Sequence, residues 1–244
     1  MSPYSLKYKP FGNAAILVEW PHEINEKILK DIILFHQKIY QKKIKPAIEI
    51  IQSINSLTVV YDNDSISFHR LKELLKNIYK EDFNKISKEH YLWKIPVCYD
   101  SLFGVDLPEI SVKNKLTIEE IIQLHTKVIY SIYSIGFLPG FLYLGGLDKR
   151  LHIDRKSEPR LKVPKGAVGI GGKQTGIYPK SSPGGWQLIG NTPISFFDKT
   201  KENPCFAKPG DQIQFFSISK DEYEQIQRQI VQHKYTIEKE VIDD

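Results

Sequence analysis

Cysteine is scarce: Cys98 and Cys205 are the only two in 244 residues, with no CxxC and no Cys/His spacing of a zinc site. That excludes a disulfide-stapled scaffold and a zinc ribbon. Both thiols read as buried small hydrophobes, and a single bridge between them stays open. No apolar run approaches the roughly 20 residues that cross a bilayer. The opening MSPYSLKYKPFG lacks a basic start followed by an apolar run, so no signal peptide is expected, no membrane partner is expected, and the cytoplasm is the simplest location. Charge of one sign is in short supply as well. The 34 basic and 29 acidic residues leave +5 without a basic block, and nucleic acid is not expected as a partner. Common chemical motifs are also missing. Residues 167–174, AVGIGGKQ, fail as a phosphate loop because Ala167 replaces the first glycine and Gln174 the magnesium-holding Ser/Thr. GxGxxG, HExxH, GxSxG and kinase signatures do not occur, no metal site is read, and the seven histidines are scattered.

What is present divides the chain. The runs AAILVEW (14–20) and LTVVY (57–61) are apolar and β-favouring, residues 46–54 look extended, and residues 24–41 carry apolar side chains at helical spacing. Phe68, Leu71, Leu74, Leu75, Ile78 and Tyr79 mark a second helix with Ser67 as N-cap. The order β-β-α-β-β-α predicts a small α+β sandwich, one sheet covered by two helices. The polar stretch 81–90 is the linker candidate, so residues 1–88 form one domain and 89–220 another, with a helical tail over 221–244. In the second domain YLWKIPVCY is a strand, Thr117-Ile118-Glu119-Glu120 is a capping box opening a helix, and Val128–Ile135 is a strand. Beyond it, twelve of the fifteen glycines fall between Gly136 and Gly190, and helical spacing disappears. VPKGAVGIGG, QTGIYP, WQLIGNTPI, FFDK and PGDQIQFFSI read as short strands broken by turns, which predicts a closed or nearly closed β-barrel.

Candidate chemistry gathers in the glycine-rich zone, where backbone N–H groups approach a ligand closely. Pro139-Gly140-Phe141 and Pro183-Gly184-Gly185-Trp186 share one plan: fixed φ, permissive turn, large aromatic. Each is either a tight turn with an aromatic plug or the rim of a pocket or docking surface. Arg160, Lys165, Lys173, Gln174, Tyr178, Ser181 and Ser182 would be its polar tips. His125 is either a helix histidine satisfied inside the fold or a polar group facing the barrel mouth. Asp148 and Asp154 are candidate carboxylates, Asp100 and Asp106 read as loop residues, and Trp20 and Trp93 as core. No complete catalytic set is visible, and the catalytic residues stay unassigned.

The blocks LHTKVIYSIYSIGFLPGFLYLGGLD (124–148), PRLKVPKGAVGIGGKQTGIYPKSSPGGWQLIGNTP (159–193) and KPGDQIQFFSI (208–218) together resemble the B subunit of the bacterial ATP-dependent 5-oxoprolinase. This family is also called allophanate hydrolase subunit 1 and includes a Kip-type inhibitor of a histidine kinase. IPVCYDSLFGVDL (95–107) matches more loosely, lacking glycines and a proline that family members carry there. The resemblance implies an N-terminal ferredoxin-like sandwich, a C-terminal cyclophilin-like barrel, and a hetero-oligomer with C and A subunits. It implies ATP-dependent hydrolysis of 5-oxo-L-proline to L-glutamate, with ATP and magnesium bound in the assembled complex and no activity of this chain alone. On that reading His125, Arg160, Lys165, Lys173, Gln174 and Tyr178 contact substrate. Pro139, Gly140, Phe141, Pro183, Gly184, Gly185 and Trp186 form the pocket rim or partner surface. The alternatives it carries are a kinase inhibitor and a carboxyltransferase or allophanate-hydrolase subunit of urea metabolism.

Overall fold

The computed structural model describes residues 4–82 and 89–242, and the chain divides into two compact units, 1–88 and 89–244. In the first unit β1 (Lys7–Pro10) and β2 (Ala15–Glu19) form a hairpin, followed by α1 (Glu26–Gln41), β3 (Ala47–Gln52), β4 (Ser56–Tyr61) and α2 (Phe68–Lys80). The sheet order is β1-β2-β4-β3, antiparallel throughout. Alternation along the strands turns Ile16, Val18, Leu57 and Val59 inward, onto the buried stripe Ile28, Ile32, Phe35 and Ile39 of α1 and Leu71, Leu75 and Ile78 of α2. Asn25 and Ser67 cap the two helices. In a ferredoxin-like unit the strand beside the first comes after the second helix. Here β1 takes that edge from before β2, because the chain after α2 goes on to a barrel strand. The linker reading of 81–90 falls mostly on residues 83–88, outside the described residues.

The second unit begins with β5 (His90–Cys98), then α3 (Leu107–Asn114), α4 (Ile118–Lys127), β6 (Ile129–Ile135) and β7 (Leu142–Gly145). It continues with β8 (Arg160–Val163), β9 (Ala167–Gly171), β10 (Gln174–Ile177), β11 (Ser182–Gly184) and β12 (Gln187–Asn191). It ends with β13 (Gln212–Ile218), α5 (Lys220–Val231) and β14 (Lys239–Ile242). Seven strands run β12-β9-β10-β7-β6-β13-β5, and the pairing Asn191–Cys98 closes the barrel. The short β8–β11 hairpin stands apart as its own two-stranded sheet. Inward side chains, among them Ile95, Val97, Ile132, Leu144, Val168, Ile170, Ile177, Ile213 and Phe215, build one core.

Three expectations need correction. FFDK forms no strand: Phe196 is buried against Phe206 as a plug, and Asp198 turns the chain by accepting from Thr200. Asp106, read as a loop residue, stands at the N-cap of α3, which has Pro108 in its first turn. The C-terminal stretch is helical only to Val231. After it the chain returns as β14, which pairs with the first half of β5 and so satisfies an edge that β12 reaches only at Cys98.

One buried carboxylate fixes the start of the β5–β13 pair. Asp211 is fully buried and accepts from the Tyr91 amide (3.2 Å), the Trp93 indole (3.0 Å) and the Lys208 amide (3.2 Å), with His90 Nδ1 at 3.3 Å. Asp211→Ala leaves the buried Trp93 indole and two half-buried amides unpaired, so urea unfolding followed by tryptophan fluorescence is expected to show a loss of about 3 kcal/mol. Asp211→Asn, which keeps an acceptor, loses less. An unchanged midpoint for the alanine variant would remove Asp211 as the organiser.

Candidate functional site

The wall made by β9, β10 and β7 is one strand thick, and its two faces differ. Register pairs Gly176 with Gly169 and Tyr143, and Gln174 with Gly171, so these share the outer face, while Ile170, Thr175 and Leu144 share the inner one. Trp186 lies flat on the outer glycines. A Cβ built on Gly171 would sit 2.6 Å from its Cε2, one on Gly176 would be 2.8 Å from its Cζ3, and one on Gly169 3.2 Å from its Cβ. Any side chain at these positions would displace the ring. Phe141 meets Trp186 edge-on at 5.4 Å and Tyr178 edge-on at 5.0 Å. With Val163 and Leu188 they form a second core outside the barrel. Trp186 is therefore a plug by burial, 4% exposed, although it stands at a surface. Gly184 makes room for the Tyr178 hydroxyl, whose proton burial holds on more tightly than usual, and the Gly185 carbonyl accepts from the Lys156 amide at 2.7 Å.

The segment above this wall is tied down by charge. Asp106, read as a loop residue, is 3% exposed and exchanges backbone and side-chain bonds with Leu188: its amide donates to the Leu188 carbonyl, and its carboxylate accepts from the Leu188 amide at 2.6 Å. Arg160 donates to the same carboxylate at 2.5 Å and reaches the Trp186 carbonyl at 3.4 Å. Lys156 sits 3.1 Å from Asp106 and 2.8 Å from Glu109. Hydrogen bonds from Lys113 and Lys156 hold the Glu109 carboxyl down at about 2. Arg160 is thus committed within the fold rather than presented as a free charge. The start of α3 and the β8–β11 hairpin are joined by this network.

His125 belongs to the inner face. It is wholly buried, stacked on Phe215 at 4.6 Å, and offers no edge to a ligand. The Tyr99 hydroxyl lies 2.7 Å from Nδ1, Thr175 Oγ1 2.9 Å from Nε2, and Thr175 in turn donates to the Gly169 carbonyl at 3.0 Å. A neutral ring protonated on Nε2 satisfies the whole chain. Burial pushes its pKa down to about 3, which keeps it neutral. Of the other candidates, Lys173 is exposed on the β9–β10 turn beside Gln174, and Pro139, Pro183 and Ser181 are exposed. Gly140, at φ +85°, lies against Phe196 and Phe197. Lys165 precedes β9 at the end opposite Gly171, where its carbonyl accepts from Asn191. Asp148 pairs with Arg150, which holds its carboxyl down at about 2, Asp100 caps the turn at Leu102, and the exposed Asp154 offers its carbonyl to Gln187. A cavity of about 580 Å³ beside Pro193 and α5 is lined by none of this set, and the first unit has one of about 470 Å³ beside Tyr40 and Ile48.

Residues 6–207 match the carboxyltransferase domain, subdomain C and D. The chain belongs to that carboxyltransferase-domain family. It is 38% identical over 222 residues to the 5-oxoprolinase B subunit of Bacillus subtilis, covering 87% of this chain and 92% of the relative. The crystal structure of TTHA0988 aligns with a TM-score of 0.73 at 31% identity over 84% of this chain, and this chain spans 40% of that one. The Kluyveromyces lactis urea amidolyase structure shares the fold over 98% of this chain, with a TM-score of 0.85 at 22% identity, and this chain spans 16% of it.

Within this carboxyltransferase-domain member, the structure brings together Phe141, Tyr178, Gln174, Gly184, Gly185, Trp186 and Arg160, and separates His125 and Lys165 from them. Asp106, Lys156, Tyr143 and Arg155 were missed. Asp106-Leu107-Pro108 carries a helix-start signal that would have found α3. Arg155, in the polar run RKSEP, carries no local signal.

The glycine floor makes a direct prediction. Gly171→Ala is expected to destabilise the second unit by about 1–3 kcal/mol, read from its urea midpoint. Gly136→Ala, where a Cβ meets nothing within 4 Å, should stay within about 0.5 kcal/mol. Equal effects would refute the cradle. His125 makes another. Its folded pKa lies below the unfolded value of about 6.5, so the unfolded chain binds more protons between the two. Stability is full above about pH 6.5 and falls by up to about 1.4 kcal/mol per pH unit below it. His125→Gln should flatten the dependence between pH 6.5 and 4, whatever its absolute stability.

Proposed function

We propose that the chain is the B component of an ATP-dependent 5-oxoprolinase, opening 5-oxo-L-proline to L-glutamate together with C and A subunits. The observation that carries this reading is the 38% identity to a 5-oxoprolinase B subunit over nearly the full length of both chains. The outer wall supports it, since the Gln174 amide and the tips around Trp186 would hold a small planar lactam without supplying a full reaction centre. The described residues of this chain do not fit ATP with magnesium. No three His, Cys, Asp or Glu side chains converge among them, and Gln174 stands where a phosphate loop needs a hydroxyl. The nucleotide is assigned to the complex, and this chain, as a ferredoxin-like unit followed by a cyclophilin-like barrel, to binding and orientation. The urea-metabolism reading draws weaker support, from 28% identity to a urea amidolyase of which this chain spans 15%, and from the shared fold.

Purified chain mixed with 5-oxoproline and ATP is expected to release no glutamate, and adding the C and A subunits to restore ATP-dependent release. Gln174→Ala in the complex should lower kcat/KM at least tenfold, and Lys165→Ala should leave it within twofold. Glutamate release by the chain alone would sink the division of labour. No release by the full set, with capture of a histidine kinase instead, would favour the inhibitor.

A further inference from the structure

Three tryptophans occur in the chain, and their indole N–H groups differ. Trp20 donates to Asp31 at 2.7 Å and Trp93 to Asp211 at 3.0 Å, both buried carboxylates. Trp186 Nε1 donates to no protein group among the described residues and is not sealed from solvent. Two further donors stand beside it. Gln174 is 7% exposed and its Nε2 is buried without a partner. Gln174 lies directly across from Gly171 on the same face, and the Cβ position of Gly171 is 2.7 Å from Trp186 Nε1. Opposed Cβ positions on an antiparallel pair are about 5 Å apart, so the Gln174 side chain starts beside the N–H edge of the ring and its amide is within reach of that edge.

The third donor is Arg155. Its guanidinium lies over the Trp186 ring, 5.5 Å from the centroid, on the face the glycines leave open. Neighbouring cations are paired: Arg160 with Asp106, Lys156 with Asp106 and Glu109, and Arg150 with Asp148. Arg155 has a ring for a partner and no carboxylate among the described residues. Burial raises the pKa of both the Tyr143 and Tyr178 hydroxyls, and the Arg155 charge offsets part of that at each, which places it over this wall. An indole N–H, an amide and a guanidinium thus stand around one ring, none of them paired with an acceptor among the described residues.

The geometry points to a binding site for a small carboxylate at the N–H edge of Trp186, with Arg155 supplying the counter-charge and Gln174 and the indole supplying directed hydrogen bonds. A planar carboxylate suits this set because a guanidinium binds it through two parallel bonds and leaves its outer lone pairs for the neutral donors. The site stands on these donors. That its carboxylate is the one on 5-oxoproline rests on the reading above.

The test uses the full chain labelled with 15N, whose three indole N–H signals are assigned with Trp186→Phe. Titration to 50 mM with 5-oxo-L-proline, its carboxamide, acetate or inorganic phosphate is compared with sodium chloride at equal ionic strength. The carboxylates are expected to move the Trp186 signal alone, leaving those of Trp20 and Trp93 in place. Arg155→Gln, at an exposed position, should weaken carboxylate binding at least tenfold and carboxamide binding less than twofold, the scale of one charge-assisted hydrogen bond. Arg155→Lys should recover part of the loss. A response to acetate without one to 5-oxoproline keeps the site and removes the substrate assignment. A shift with phosphate only, no shift with any acid, or an Arg155→Gln variant that binds both forms unchanged overturns the inference, even if the assembled complex hydrolyses 5-oxoproline.

Discussion

A flat indole pressed onto a strip of backbone without side chains is the contact around which the second unit is arranged. Trp186 needs Gly169, Gly171 and Gly176 bare, and they in turn need Trp186 to cover peptide groups that no side chain shields. Burying a ring of this size is worth about 3–5 kcal/mol, enough to offset the extra backbone entropy of three glycines at up to about 1 kcal/mol each. The same strands turn Val168, Ile170 and Ile177 inward, so one thin wall serves two apolar cores. A change on one side is felt on the other. The hydrogen-bond chain from Tyr99 through His125 and Thr175 ends on the carbonyl of Gly169, directly behind the ring.

Above the wall, charge takes over from packing. The β8–β11 hairpin buries little of its own: Leu161 is 91% exposed, while Val163 is fully buried. What holds the segment is Asp106, a carboxylate out of water with a guanidinium, an ammonium and a backbone amide around it. A buried pair of this kind gives modest net stability but a large penalty when one partner is lost, so it specifies position more than it adds strength. Arg155 lies just outside this network, which leaves its charge available.

The fold was largely legible because its signals are local. The apolar stripe over 24–41, Ser67 before its own stripe, the Thr117 capping box and alternating runs such as LTVVY each act within a few residues, and each element forms where they point. FFDK misled because two adjacent aromatics favour a strand, yet Phe196 finds its burial against Phe206 without a neighbouring strand to pair with. The site was legible in composition and not in geometry. Gly/Pro/aromatic spacing located the Trp186 cluster, but which face each glycine turns outward depends on register, set by partners far away in the chain. For the same reason His125 and Gln174 could not be separated by sequence, although one lies behind the wall and the other in front. Asp106 and Arg160 are 54 residues apart, and nothing local to either announces the pair.

The position of β5 has a consequence for how the molecule is made. Its parallel neighbour β13 pairs residue for residue with positions 120 earlier, and β14 pairs from later still. A strand that leaves the ribosome early must therefore wait, with Trp93, Ile95 and Val97 unpartnered, for most of its unit to be synthesised. Loop closure over such a span is slow compared with helix formation, and exposed apolar strand edges are prone to pair wrongly in the meantime. The sandwich of the first unit, with its short hairpins and local helices, has no such delay. The chain is built so that its N-terminal part can be finished while β5 still lacks its partners.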